Sequence, residues 1–137
     1  MKRIFVSNGA MAESKKYEIK VTASVQYLSD QSDPAARRYV FAYTIDIRNT
    51  GTVAAQLISR HWLITDADNE LQEVRGLGVV GHQPLLQPGQ NFEYTSGSAL
   101  TTPVGTMKGS YRMAAEDGTA FDVPIDEFVL SIPRVLH

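Results

Sequence analysis

The stretch 39-YVFAYTIDIRN-49 sets Tyr39, Phe41, Tyr43, Ile45 and Ile47 on one side and Thr44, Asp46 and Arg48 on the other. Successive side chains of a strand point to opposite faces, so this alternation makes a strand with one buried face. The pattern recurs in 17-YEIKVTASVQY-27, where Tyr17, Ile19, Val21, Ala23, Val25 and Tyr27 share a face. AAQLISRHWLIT, ELQEV, NFEYTSGSAL, TMKGSYRMAA and FDVPIDEFVLSI supply further strand regions. Asp68-Asn69 and Asp117-Gly118 suit tight hairpins, and Pro88-Gly89 suits a type II turn. Pro124 calls for a bulge or an edge position, because it cannot donate to a ladder. No segment keeps a 3.6-residue period over ten positions, so helices are not expected.

The chain has 137 residues, the size of one domain, and 43% of them are hydrophobic, enough for a core. There is no cysteine, which excludes a disulfide framework, a thiolate metal site and a cysteine nucleophile. The expected fold is all-β: a fibronectin type III-like or immunoglobulin-like sandwich of about seven to eight antiparallel strands, without the immunoglobulin disulfide. The net charge of −2 gives no basic footprint, so nucleic acid is not an expected partner. Ile4-Phe5-Val6 is too short for a signal-peptide core, and no apolar run spans a bilayer. A cytoplasmic protein without membrane insertion is expected. Residues 1–14 are expected to form a flexible tail before a domain at 15–137, and the start of patterning near Tyr17 makes Met11 an alternative to Met1 as the native start.

The segment 75-RGLGVVGHQPLLQPG-89 contains G-x-G-x-x-G at Gly76, Gly78 and Gly81. A dinucleotide fingerprint needs a helix after it, whose N-terminal N–H groups hold the phosphates. Pro84, Pro88 and Gly89 prevent such a helix. No G-K-[ST] follows, and the other protein-kinase motifs are missing. The favoured reading is a glycine-rich loop or bulge. The competing one is a backbone nest for a phosphate-containing small molecule, formed by Gly76, Gly78 and Gly81 with Arg75 and His82 as counter-charges.

Other constellations are weaker. Asp66, Asp68 and Glu70 fit a solvated hairpin tip better than a hard-cation loop. His61, His82 and His137 lack ligand spacing, so no metal and no cofactor is expected. Ser96-Gly97-Ser98 reads as a strand-end segment with no histidine tied to it, and no catalytic residue is assigned. Trp62 and Tyr27, Tyr39, Tyr43, Tyr94 and Tyr111 read as core or sheet-face residues. Arg60-His61-Trp62 stands out. With Trp62 inward, Arg60 shares its face and His61 lies opposite. Arg60 then either emerges at the sheet edge or lines a cleft near the glycine loop, with His61 beside it.

The strings YLSDQSDPAARRYVFAYTIDIRNTG, AQLISRHWLITDADNE, VRGLGVVGHQPLLQPGQNFEYTSG, TPVGTMKGSYRM and FVLSIPRVLH resemble the ApaG family, also called CorD. The likeness covers residues 17–137, with Asn69 standing where a turn glycine is common. It implies a fibronectin type III-like fold and a link to cobalt resistance and magnesium efflux. It also implies a protein-interaction module, since the domain occurs in eukaryotic F-box proteins and a polymerase-delta-interacting protein. No family catalytic residue is carried over. The expected function is a non-enzymatic binding module with an unidentified protein partner, as a monomer or homodimer. The alternative is a phosphate, pyrophosphate or nucleotide-polyphosphate binding protein.

Overall fold

The computed structural model describes residues 15–133; the expected tail at 1–14 lies outside them. Eight strands form two antiparallel sheets: β1 (Ile19–Tyr27), β2 (Tyr39–Asn49), β3 (Ala55–Asp66), β4 (Leu71–Leu77), β5 (Leu85–Leu86), β6 (Asn91–Leu100), β7 (Val104–Ala115) and β8 (Ala120–Ser131). One sheet has the order β1-β2-β6. The other has the order β4-β3-β7-β8, with the short β5 pairing the start of β3. This is the expected all-β sandwich, and three short 3₁₀ turns are the only helical segments among the described residues. The strand Leu85–Leu86 was not legible, because Pro84 and Pro88 bracket it and only two residues pair with Ala55 and Gln56.

The inward faces follow the alternation. Phe41, Tyr43, Ile45 and Ile47 of β2 meet Leu57, Trp62 and Ile64 of β3 and Met107, Tyr111 and Met113 of β7. Trp62 is the hub, with ring centroids of Tyr43, Phe128 and Tyr111 at 5.6, 5.9 and 6.2 Å in tilted or edge-on contact. Such pairs prefer edge-to-face geometry because the ring face is electron-rich and the edge positive. Among the described residues Asn49 is the more deeply buried of two polar side chains, with Thr102, that the interior takes in. Its amide donates to the carbonyls of Val53 at 2.8 Å and Leu86 at 2.9 Å, and its oxygen accepts from Gly51 N–H at 2.9 Å. A fully satisfied amide thereby ties the end of β2 to the start of the other sheet.

The turns follow local chemistry. Gln90 N–H closes on Gln87 O at 2.9 Å with Gly89 at φ 88, as the Pro-Gly pair requires. The β3–β4 connection is the tight hairpin expected at Asp68-Asn69. Asp66 pairs with Glu70, and Asn69 takes φ 63, giving a three-residue loop. Asn tolerates this left-handed conformation, so the turn glycine is dispensable. The β7–β8 hairpin repeats the arrangement with Gly118 at φ 91. Pro124 sits on the edge strand β8, and the register slips just beyond it, opposite Met107 and Gly109.

The two flanks of the sandwich differ. Along one, β1 approaches β8: Tyr17 stacks on Phe121 at 5.4 Å and donates to Asp117 at 2.6 Å. That hydroxyl, followed by the Thr119 backbone N–H, holds the Asp117 carboxyl well below the usual carboxylate range. Along the other flank, β4 and β6 are the sheet edges, and the hairpin after β4 meets β6 where His82 lies 5.7 Å from the Phe92 ring.

Between the sheets the hydroxyls of Tyr94 and Tyr111 share a 2.5 Å hydrogen bond. Burial pushes the Tyr94 phenol up to about 12 and drives Tyr111 further in the same direction. A folded pKa above the unfolded value of about 10 means that the folded state holds protons the unfolded chain releases. Stability is therefore complete below pH ~10 and falls as the pH rises from there toward the folded values. Equilibrium urea unfolding between neutral and strongly alkaline pH checks this sign. In the same assay Tyr94→Phe alone should cost about 1–3 kcal/mol by leaving a buried hydroxyl unpaired. Tyr94→Phe with Tyr111→Phe should cost less than the sum of the two single changes.

Candidate functional site

Strand parity places the site residues. Trp62 points inward, so Arg60 does also, while Ser59 and His61 point outward. The ladder sets Gly76 opposite Arg60 and Arg75 opposite His61 on β4. On the other side of β3, Arg112 lies opposite Ser59 and Ser110 opposite His61. Asp122 of β8 continues the row beyond Arg112. The outer face of the five-stranded sheet thus gathers Arg75, His61, Ser59, Ser110 and Arg112. These side chains line a cavity of about 620 Å³, bordered also by Arg60, Gly76 and Leu77.

Ion pairs organise this face. Glu73 accepts from His61 Nε2 and, at 2.9 Å, from Arg75 Nη2. The His61 hydrogen bond and then the Arg75 charge hold the Glu73 carboxyl below its ordinary range. Arg112 Nη1 donates to Asp122 at 3.1 Å. Both arginines are more than half exposed, at 70% and 53%. Exposed pairs of this kind contribute only about 0–1 kcal/mol and exchange readily. Each guanidinium uses one N–H on its carboxylate and has others to offer.

His61 and Ser110 are register partners, yet no hydrogen bond joins them, and Nε2 of His61 is engaged by Glu73.

The glycine hexad is a strand end followed by a two-residue hairpin. Val79 and His82 exchange both backbone hydrogen bonds at 2.8 Å across Val80 and Gly81, whose φ values are 42 and 82. Two positive φ values in succession define a type I′ turn. Each glycine answers a separate demand. A Cβ on Gly76 would stand 2.8 Å from the Arg60 guanidinium. Gly78, at φ 61, would drive a Cβ onto the carbonyl oxygen of His82, whereas Gly81 faces open space. The N–H groups of Gly78, Val79 and His82 are spent on Ile58, His82 and Val79 carbonyls.

The residues picked out in the sequence therefore divide. Arg60, His61, Arg75 and Gly76 border one cavity. Gly78 is buried, and Gly81 and His82 belong to the hairpin tip, where His82 lies 5.7 Å from the Phe92 ring. The loop hydrogen bonds engage three of the N–H groups a nest would use. Arg60 combines both readings proposed for it. Its stem faces inward, and Nη1 donates to Leu77 O at 3.0 Å and Gly78 O at 2.9 Å at the β4 edge. Its charge opposes the upward shift of Tyr94 and Tyr111, as expected of a cation beside the polar centre of the core.

Ser59, Ser110 and Arg112 escaped sequence reasoning. Arg112 and Ser110 flank the buried Tyr111, so period-two parity alone would have set them on the outer face. Which strand they neighbour required the ladder. Ser96-Gly97-Ser98 corrects a further expectation: it lies within β6, paired with Tyr43, Ala42 and Phe41, rather than at a strand end. Gly97 suggested a break, but β2 keeps pairing as far as Leu100. At the β3–β4 turn, Asp66 Oδ1 accepts from the N–H groups of Asp68 at 2.8 Å and Glu70 at 3.0 Å, while Asp68 meets Arg37 at 3.4 Å. Among the described residues no group of three or more acidic or histidine side chains is placed to hold a metal ion. No helix among them is long and apolar enough to cross a membrane.

The ApaG domain family matches residues 29–115. A Protein ApaG from Thiobacillus denitrificans is 68% identical over 127 residues, 93% of this chain and 100% of the relative. One from Nitrosospira multiformis matches at the same identity and coverage. A crystal structure of a Bordetella pertussis protein named ApaA superposes with a TM-score of 0.85 at 57% identity, covering 87% of this chain and 97% of that one.

The three glycines should respond unequally to alanine. Gly78→Ala should cost more than about 2 kcal/mol, because strain and collision coincide. Gly81→Ala should cost about 1 kcal/mol, from backbone strain alone. Urea unfolding of both variants checks the order; the reverse order would remove the structural account of the motif.

Proposed function

The chain belongs to the ApaG family, and from that premise we propose a non-catalytic binding module that meets a protein partner on the outer face of its five-stranded sheet. The observation behind this reading is the convergence of Arg75, His61 and Arg112 on one cavity with exchangeable counter-ions. Exposed guanidinium groups with N–H donors to offer suit a partner that presents carboxylates or phosphates. Leu77, 75% exposed at the rim, adds apolar surface beside the charges. The link to cobalt and magnesium handling rests on the family resemblance, and the cytoplasmic setting on the expectation from the sequence. They describe where such a module would act rather than what it touches.

A second reading is favoured by the same donors. Ser59 and Ser110 hydroxyls between the two arginines suit a free phosphate or pyrophosphate compound. This moves the anion from the glycine loop, whose N–H groups are largely spent, to the sheet face. Two measurements separate the readings. Pyrophosphate and ATP titrated into ¹⁵N-labelled protein should shift Arg75, Gly76, Ser110 and Arg112, and not Gly78–His82, if a small phosphate compound binds. No shift at those four positions ends the small-molecule reading. A pull-down from native lysate should recover a partner with the unaltered protein and lose it with Arg75→Ala/Arg112→Ala. A partner retained by that variant would remove the outer face from the proposal.

A further inference from the structure

The open flank between β4 and β6 holds a second cavity, separate from the outer face. It has a volume of about 360 Å³ and runs between the sheets. Its floor is formed by Val74, Ile64 and the little-exposed edges of Tyr43 and Trp62, and its sides carry Arg60, Gln72, Ser96 and Ser98. The origin of the cavity is legible in β6. The inward positions of that strand run Phe92, Tyr94, Ser96, Ser98 and Leu100. Two small hydroxyl residues stand where burial alone would favour large apolar side chains. Opposite them β4 places Val74 against Trp62 and Gln72 against Ile64. The flank between β4 and β6 is therefore indented just outside the tryptophan, whose ring the core itself covers.

Arg60 gives this cavity its chemistry. It is half-buried and takes part in none of the ion pairs formed by the described residues, whereas Arg37, Arg75 and Arg112 each have a carboxylate. Its Nη1 is committed to the Leu77 and Gly78 carbonyls. Nε and Nη2 have no acceptor among the described residues. Those two N–H groups form one edge of the guanidinium, the fork that matches both oxygens of a carboxylate. No other cationic side chain borders the cleft, which suits a single negative charge better than a phosphate dianion. A half-buried cation without a counter-ion gains most from a ligand that brings one.

We infer that the β4/β6 cleft is a binding site for a small carboxylate with an apolar body. Its carboxylate would lie on the Nε–Nη2 edge of Arg60, with its apolar body along Val74 and Ile64 and the edges of Tyr43 and Trp62. Ser96, Ser98 and Gln72 would meet any polar substituent. The size of the cavity falls within the usual range for small-ligand sites, about 300–1,000 Å³.

The test is a titration of the ¹⁵N-labelled full chain with naphthoate, followed by NMR. Trp62 is the only tryptophan, so its indole N–H is an unambiguous reporter. Saturable shifts are expected at that indole and at the amides of Ser96–Ala99. The neutral analogue naphthylmethanol should bind more weakly. Arg60→Gln should weaken naphthoate by at least about tenfold, through loss of a charge-assisted fork. Since Arg60 also holds the glycine hairpin, Ser98→Leu provides a second variant. It fills the cleft with hydrocarbon, retains Arg60, and should abolish the shifts. Arg112→Ala, on the outer face, should leave naphthoate binding unchanged.

Three results overturn the inference: no saturable shift, unaltered affinity in Ser98→Leu, or shifts confined to His61, Ser110 and Arg112. The last would move the carboxylate to the outer face and leave the module proposed there standing. Failure of the pyrophosphate titration or the pull-down, conversely, says nothing against the cleft.

Discussion

Trp62 sets the parity on which every other placement depends. It is almost wholly buried, and its ring is wedged among Tyr43, Tyr111 and Phe128. A one-residue slip of β3 would expel the largest side chain of the core and turn His61 inward. The strand therefore has one permitted orientation. Once it is taken, Arg60 must enter the sandwich and His61 must leave it. The ladder then brings Gly76 beneath Arg60 and Arg75 beside His61. A hydrophobic requirement in the core thus decides which ionisable groups face outward together.

The same parity creates a charge that the core cannot absorb. Arg60 sits two residues from Trp62 on the same face, and the fold answers with backbone rather than with a carboxylate. The β4 edge supplies two carbonyls at the point where the strand ends, and Gly76 gives the guanidinium room to lie across it. A larger residue at position 76 would push the guanidinium away from those carbonyls. The glycine at 78 then lets the chain turn sharply enough for Val79 and His82 to close the hairpin. The hexad GLGVVG thus reads as the accommodation of one inward arginine, followed by a type I′ turn. Its spacing coincides with a nucleotide fingerprint, but the elements that give the fingerprint its chemistry are replaced by strand and hairpin.

Much of this was legible in the letters. Alternation in β2 and β3 gave the buried faces, and it also gave the opposite orientations of Arg60 and His61. Turn chemistry at Pro88-Gly89 and Asp117-Gly118 gave the connections. Loop length was less legible, since Asp68-Asn69 sits in a three-residue loop because Asn69 alone takes the left-handed position. What periodicity could not supply was adjacency between strands. Ser110 and Arg112 lie 35 and 37 residues from Arg75 in the chain, and only the order β4-β3-β7 makes them neighbours. Ser96 and Ser98 were misplaced for a related reason. A Ser-Gly-Ser run has weak strand propensity by itself, and its pairing with β2 overrides that preference.

The inward serines of β6 and the inward arginine of β3 make a stronger case together than either does alone. A serine inside a sandwich is tolerable if it finds a partner, and an arginine is tolerable if its head escapes to an edge. Here the arginine reaches its edge yet leaves its outer fork unused, and Ser96 and Ser98 border the same gap. Filling those two positions with larger apolar side chains would bury more surface at the flank where the sheets are least joined. A sequence under pressure for stability alone would be expected to make that change. Tyr17, Phe121 and Asp117 pin the opposite flank. What marks the gap as a binding cleft is its lining, because a guanidinium edge without an acceptor among the described residues and two inward serines border one opening.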